Sequence, residues 1–295
     1  IYVKNGKLLS TPLREPLNLD SLPFPDFDFV DKDYFKKKEI PGIGKTGVKL
    51  HVLTSRGCPY KCVFCSTSHF WKNTRFHSPE YVAKNIEYQI NRYGIDYLSI
   101  LDDLFTVSKD RLIKIKEEFD KHKILEKIIG IECQPRANLI DEEMCQILKS
   151  LKVVVVSFGF ESGSDRMLKW LKCGSVSVDM NKQALILCNK HELNVYGSLI
   201  FGSPGEKIED IQKTLDFIDF LVKNKAKYIW SFIATPFPGT IFWDIAKERG
   251  KVSSNMDWDL LSPHNIDDAL LIDKDINMEE FHRLFLEGRR KLRIL

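Results

Sequence analysis

The 295-residue chain has no excess of charge of either sign: 44 basic against 41 acidic residues leave a formal +3 at neutral pH. So weak a field gives no reason to expect nucleic acid or an anionic membrane surface as a partner. Long apolar runs are missing as well. "VVVVSFGF" from Val153 falls far short of the roughly 20 residues that span a bilayer, and no basic start followed by an apolar stretch marks a secretion signal. A cytoplasmic protein is therefore expected. Low-complexity tracts and short-period repeats are absent, and closely spaced cysteines occur in one place only. Seven cysteines, an odd number with three of them crowded together, suit reduced, metal-binding thiols better than a secreted disulfide framework. Cys133, Cys145, Cys173 and Cys188 are scattered and read as buried or incidental thiols. The chain opens at Ile1 inside a turn-like "VKNGKLL", which reads as a fragment with something upstream.

What is present is a regular α/β alternation. Residues 1–47, with "TPLREPLNLDSLPFPDFDF", read as an extended, irregular arm, because each proline drives its predecessor out of helical geometry. Six β-branched or aromatic runs follow, expected as strands over 48–55, 96–103, 129–136, 153–162, 194–202 and 228–236. Helix signals separate them: Ser78 as a cap with Pro79 at the first helical position and Gly94 as the stop, then caps at Ser108 and Asp141, and amphipathic stretches over 178–191, 207–223 and 240–249. Strands alternating with helices imply parallel pairing through right-handed crossovers. The expected fold is a partial parallel (β/α)6, TIM-like barrel over 48–250, with its site at the C-terminal ends of the strands. Residues 251–295 form a C-terminal extension that ends in an amphipathic packing helix, "MEEFHRLFLEGRRKLRIL".

The three clustered cysteines, Cys58, Cys62 and Cys65, lie in the loop after the first expected strand. Their spacing allows two readings. A fourth ligand from His69, His51 or His77 would make a closed zinc site, a staple in a non-catalytic binding module. Three thiolates without a fourth protein ligand would hold an iron–sulfur cubane with one iron open. Structural zinc usually staples domains too small for a core, and some two hundred residues of α/β pattern follow this loop.

"CPYKCVFC", with an aromatic residue before the third cysteine, resembles the signature of the radical S-adenosylmethionine (radical SAM) superfamily. "GFESGS", "IFGSPGE" and "ATPFPGT" resemble that family's fourth-, fifth- and sixth-strand motifs, in order, over about 48–250. "LDSLPFPDFDF" with "ILDDLF" resembles the subgroup whose barrel follows a cobalamin-binding domain, which this chain lacks. The resemblance implies a 4Fe–4S cluster on the three cysteines, S-adenosylmethionine (SAM) on the open iron, and reductive cleavage to a 5′-deoxyadenosyl radical that takes hydrogen from a substrate. In the cobalamin subgroup a methyl transfer follows; a methylthiotransferase or another radical SAM oxidoreductase is the alternative within the superfamily. It also implies an oxygen-sensitive protein, a small-molecule or peptide substrate, and an electron donor such as flavodoxin or ferredoxin.

Cofactor contacts carried over by the resemblance are Phe64 beside the adenine, Asp102 or Asp103 where the family more usually has Gly-Gly-Glu, and Glu161 and Ser198 toward the ribose or methionine. Lys172 is a candidate carboxylate partner, with a surface lysine as the plainer reading. Glu132, Gln134 and Arg136 point inward if Ile131 and Cys133 face the helices. Glu132 and Arg136 then either meet a zwitterionic ligand or pair with each other. Trp170, Trp230, Trp243 and Trp258 read as packing.

Overall fold

The computed structural model describes residues 2–12, 14–264, 266, 269–273 and 276–292, the side chain of Ser68 excepted. Six strands, β1 (Lys49–Val52), β2 (Tyr97–Ile100), β3 (Gly130–Cys133), β4 (Val153–Glu161), β5 (Asn194–Phe201) and β6 (Tyr228–Ile233), stand side by side in chain order, each parallel to the next. Among the described residues β1 and β6 do not pair, so the sheet is the expected partial barrel, open on one flank. The strands stop up to three residues before the apolar runs that announce them. Leu101–Asp103, Gln134–Arg136 and Ala234–Pro236 leave the ladder to build the site loops.

Around the sheet run α1 (Pro79–Tyr93), α2 (Lys109–Lys121), α3 (Glu142–Ser150), α4 (Asp165–Leu171), α5 (Val178–Lys190), α6 (Ile208–Lys223), α7 (Ile241–Glu248) and α8 (Met278–Leu292). The capping residues anticipated at three of them accept first-turn amides: Ser78 from Tyr81, Ser108 from Arg111 and Asp141 from Met144. At seven residues α4 is too short to show a period, and the sequence gives no warning of it. Helix α8 packs as expected, burying Phe281, Leu284 and Phe285, with Gly288 letting it approach Leu215 and Ile218 of α6. The last three residues of that run lie outside the described residues.

The arm is more ordered than its prolines suggest. Two short hairpins interrupt it, Tyr2–Lys4 with Lys7–Leu9 and Lys38–Ile40 with Lys45–Gly47. Asn5 and Gly6 both take positive φ at the first turn, as a two-residue hairpin requires. Between the hairpins, carbonyls of the proline-rich stretch bond to α1: Pro25 O accepts from Gln89 Nε2 (2.7 Å) and Leu22 O from the Tyr81 hydroxyl (3.1 Å). Extended backbone has no internal partners, so these bonds satisfy it. The second hairpin is tied to β5 where Tyr196 donates to Pro41 O (2.5 Å).

Alternation divides each strand between two environments. Leu98, Ile100, Ile131, Cys133, Val156, Phe158, Leu199 and Phe201 join the core shared with the helices. Toward the lumen face Ser99, Gln134, Ser157, Gly159 and Ser198. Barrel lumens are ordinarily filled by bulky branched side chains; these small and polar ones leave space.

The "GSPGE" turn after β5 is a tight strand-to-helix turn packed against Ile272 and Phe281. Glu206 Oε2 accepts from the amides of Gly202 (2.6 Å) and Ser203 (3.3 Å). Burial outweighs these bonds and pushes its carboxyl from the usual 4.5 up to about 8. The folded chain therefore holds a proton there that the unfolded chain has lost between about pH 4.5 and 8, so stability falls as pH rises through that window. Urea midpoints recorded from pH 5 to 9 should decline for the native chain and decline less steeply for Glu206→Gln.

Candidate active site

Two consecutive carboxylates at the exit of β2 set the position of the cysteine loop. Asp102 is fully buried and accepts from the Thr54 amide (2.6 Å), the Thr54 hydroxyl (2.5 Å) and the Ser55 amide (3.0 Å), where β1 ends. Its pKa is nevertheless raised, because burial outweighs the donors. Asp103 points the other way and accepts from the Gly57 amide and the Thr67 hydroxyl, both at 3.0 Å, on either side of the cysteines. Gly57 has φ +92, and a methyl there would press on Trp71 and the Asn73 carbonyl.

A second clasp comes from the segment after β4. Leu171 O accepts from the Val63 amide (3.1 Å), the Cys173 thiol donates to Lys61 O (3.0 Å), and the Lys172 ammonium lies 5.8 Å from the Phe64 ring centre. Arg136 reaches the loop from the exit of β3. Its Nη1 donates to Cys62 Sγ (3.3 Å), its Nη2 to Ser175 Oγ (2.5 Å), and its guanidinium lies 4.0 Å from the centre of the Tyr60 ring.

Cys58, Cys62 and Cys65 carry free thiols and open onto one cavity of about 430 Å³. Burial pushes the Cys58 thiol up. Phe64, Asp103, Gln134, Arg136, Glu161, Lys172 and Ser198 line the same cavity. Glu161 stands at a register shift ending β4, with φ +63, a strained conformation for a residue with a side chain. It pairs with Lys172 at 2.9 Å, both side chains 6 % exposed. Lys172 also donates to Gly159 O (2.9 Å), so the surface reading of this lysine is overturned. An apolar slot of about 320 Å³ adjoins, walled by Phe64, Ile200, Phe232, Phe237 and Phe242.

Not every candidate reaches this cavity. Asp102 lies beneath it as a brace. Ile131 and Cys133 do face the helices, so Glu132 points into the lumen as expected. It neither pairs with Arg136 nor reaches the cysteines. It accepts from Lys49 (2.5 Å), Ser99 (2.5 Å) and Tyr97 (3.2 Å), in a separate lumen cavity of about 540 Å³ that also touches Tyr196, Tyr228 and Trp230. Gln134, Ser157 and Trp230 border both cavities, so Trp230, read from sequence as packing, is a lumen residue. Sequence reasoning missed Tyr60, Thr67 and Ser175; of these only Tyr60, between two cysteines, carried a local signal.

None of the three histidines offered as a fourth zinc ligand lines the cysteine cavity. Among the described residues no three His, Cys, Asp or Glu side chains gather as ligands of a single ion. His69 is exposed, His51 borders a different cavity against the arm, and His77 Nδ1 faces Asp20 at 3.2 Å. Three thiols opening onto one cavity, with a cationic donor on one sulfur and no histidine beside them on that cavity, fit an iron–sulfur group.

Asp102→Ala would orphan the buried Thr54 and Ser55 amides. We expect a loss of about 3 kcal/mol in chemical denaturation and reduced iron uptake by the loop, measured as iron per chain after reconstitution.

A curated relative, an uncharacterized methyltransferase of Pyrococcus horikoshii, is 35% identical over 247 residues, covering 83% of this chain and 51% of its own. The cytidylyl-2-hydroxyethylphosphonate methyltransferase of Streptomyces wedmorensis is 28% identical over 75% of this chain and 42% of its own. The chain thus spans about half the length of the curated relatives it matches. Among solved structures, the cobalamin-dependent SAM radical enzyme OxsB, with aqua-cobalamin and SAM bound, superposes with a TM-score of 0.67 at 20% identity, over 85% of this chain and 41% of that one, and so shows the fold. No helix among the described residues is long and apolar enough to cross a membrane. Residues 52–218 match the radical SAM superfamily, and with the cysteine loop at the head of a six-stranded partial barrel, the chain belongs to that superfamily.

Proposed function

We propose that this chain is the catalytic barrel of a radical SAM methyltransferase acting on a small molecule, with cobalamin as a second cofactor. The observation that carries the radical SAM part is the opening of Cys58, Cys62 and Cys65 onto one cavity with Phe64, Glu161, Lys172 and Ser198. The three cysteines would hold a 4Fe–4S cluster, which when bound supplies the electron that cleaves SAM to a 5′-deoxyadenosyl radical.

The chain's own residues orient the cofactor. The Lys172 ammonium is buried and presents a cation to a carboxylate, while Glu161 and Ser198 offer acceptor and hydroxyl to a ribose. The adjoining apolar slot suits a flat base such as adenine, with Phe64 as one wall. Asp103 serves as a loop clamp in this reading, and Asp102 as its buried support. The lumen cavity, walled by Tyr196, Tyr228 and Trp230 above the Lys49–Glu132 pair, is the substrate space. Enclosing the substrate there keeps water from a reactive intermediate.

Methyl transfer is favoured over other radical SAM outcomes by the names of the two curated relatives, and cobalamin by the ligand of the OxsB structure. A flavodoxin- or ferredoxin-class donor would supply electrons, and the setting would be cytoplasmic.

Anaerobic reconstitution with iron and sulfide, then dithionite and SAM, should yield 5′-deoxyadenosine that disappears in Cys62→Ala. A native chain that loads zinc, refuses the cluster and forms no nucleoside would sink this reading. A methyl group at Gly159 would overlap Glu161 Oε1 and crowd Lys172 Nζ (3.2 Å). Gly159→Ala should therefore weaken SAM binding about tenfold, roughly 1.4 kcal/mol, in anaerobic calorimetry, with little change in melting temperature.

A further inference from the structure

We propose that Arg136 is a positioning residue for the iron–sulfur centre: it holds a fixed positive charge against the Cys62 ligand and so raises the cluster's affinity for its electron. The proposal rests on the cluster reading above and goes beyond the ligand contact or ion pair that strand alternation suggested for this residue.

Arg136 is 8 % exposed and held on four sides. Nη1 points at Cys62 Sγ (3.3 Å), Nη2 is tied to Ser175 Oγ (2.5 Å) and directed at the Lys172 carbonyl (3.5 Å), and the guanidinium face lies against Tyr60. Tyr60 is itself anchored, because Asn138 Nδ2 donates to its hydroxyl (2.9 Å). The guanidinium therefore has little freedom to swing toward another ligand. Nor is its charge balanced by a neighbouring acid: Glu161 pairs with Lys172 and Glu132 with Lys49, and Arg136 forms no ion pair among the described residues. Its Nε is buried without a partner among the same residues.

A buried cation without a counter-ion is costly unless an anion arrives to meet it. A thiolate-bound cluster is that anion. Reduction adds one electron, taken from the external donor, with no bond made or broken at Arg136. The reduced cluster is more negative by one charge, and a cation hydrogen-bonded to a ligand sulfur stabilises it more than the oxidised form. Net charge and hydrogen bonds to sulfur are among the factors that set such potentials.

The test is a dye-mediated potentiometric titration of the reconstituted chain, following the electron paramagnetic resonance signal of the reduced cluster, with iron and sulfide content measured in parallel. In Arg136→Gln at full loading we expect the reduction equilibrium to fall at least tenfold, a downward shift of about 59 mV for one electron. Arg136→Lys, which keeps charge but loses the fork and the stack, should fall between. Full loading with an unchanged potential in Arg136→Gln would overturn the proposal. Should Arg136→Gln fail to load, Arg136→Lys and Ser175→Ala, which retain the charge but loosen it, take its place; unchanged potentials in both would overturn it equally. A native chain that takes up no cluster overturns the cluster reading and this proposal together, whereas a loaded native chain with an unmoved variant overturns this proposal alone.

Discussion

The site depends first on one buried carboxyl group. Asp102 sits where β1 must end for the cysteine loop to begin, and it gathers the Thr54 hydroxyl and two amides that would otherwise be orphaned at the strand terminus. A buried carboxylate is tolerable only when donors surround it, and buried amides only when an acceptor meets them. Each side of that contact justifies the other. Because Asp102 belongs to the exit of β2, the root of the loop is locked to the neighbouring strand. Asp103, one residue on, extends the lock to both flanks of the loop. The segment after β4 clasps the loop from the far side and Arg136 reaches Cys62 from the exit of β3, so three strand exits together hold the eight residues Cys58–Cys65 in place.

Much of this was legible from local pattern. Cap residues and stop signals located the principal helices, and the alternation of Ile131 and Cys133 with Glu132 and Gln134 foretold which side chains enter the lumen. The cysteines, Phe64, Glu161 and Ser198 were singled out by motifs of short fixed spacing, and they line one cavity. What stayed hidden depends on distance along the chain. Glu132 meets Lys49 across 83 residues, and only the registers of β1, β2 and β3 bring them together. Asp102 and Asp103 are chemically identical and adjacent, so their opposite roles follow from which way each turns as β2 leaves the sheet. The arm's hairpins and helix α4 were too short to announce themselves by periodicity.

The lumen shows the same economy of means. Serine and glycine line its middle where branched side chains would ordinarily fill it, and Gln134, Ser157 and Trp230 border both larger cavities. The upper cavity holds the cysteines and the buried Glu161–Lys172 pair, the lower one the Lys49–Glu132 pair and the aromatic walls. A polar pair at each level, with small residues and the shared Gln134, Ser157 and Trp230 between them, places two cavities of different chemistry side by side in one lumen.

The strictly sequential order of the sheet has a consequence for how the chain reaches this state. Every ladder joins a strand to the one that immediately precedes or follows it, so no pairing must wait for a remote segment. Strand pairings confined to neighbouring βα units keep the loop-closure entropy of each ladder small, and the sheet can grow unit by unit. The cysteine loop stands apart from that growth. Its fastenings come from the exits of β2, β3 and β4, so it settles only after those strands are laid down, and metal capture becomes a late event in assembly.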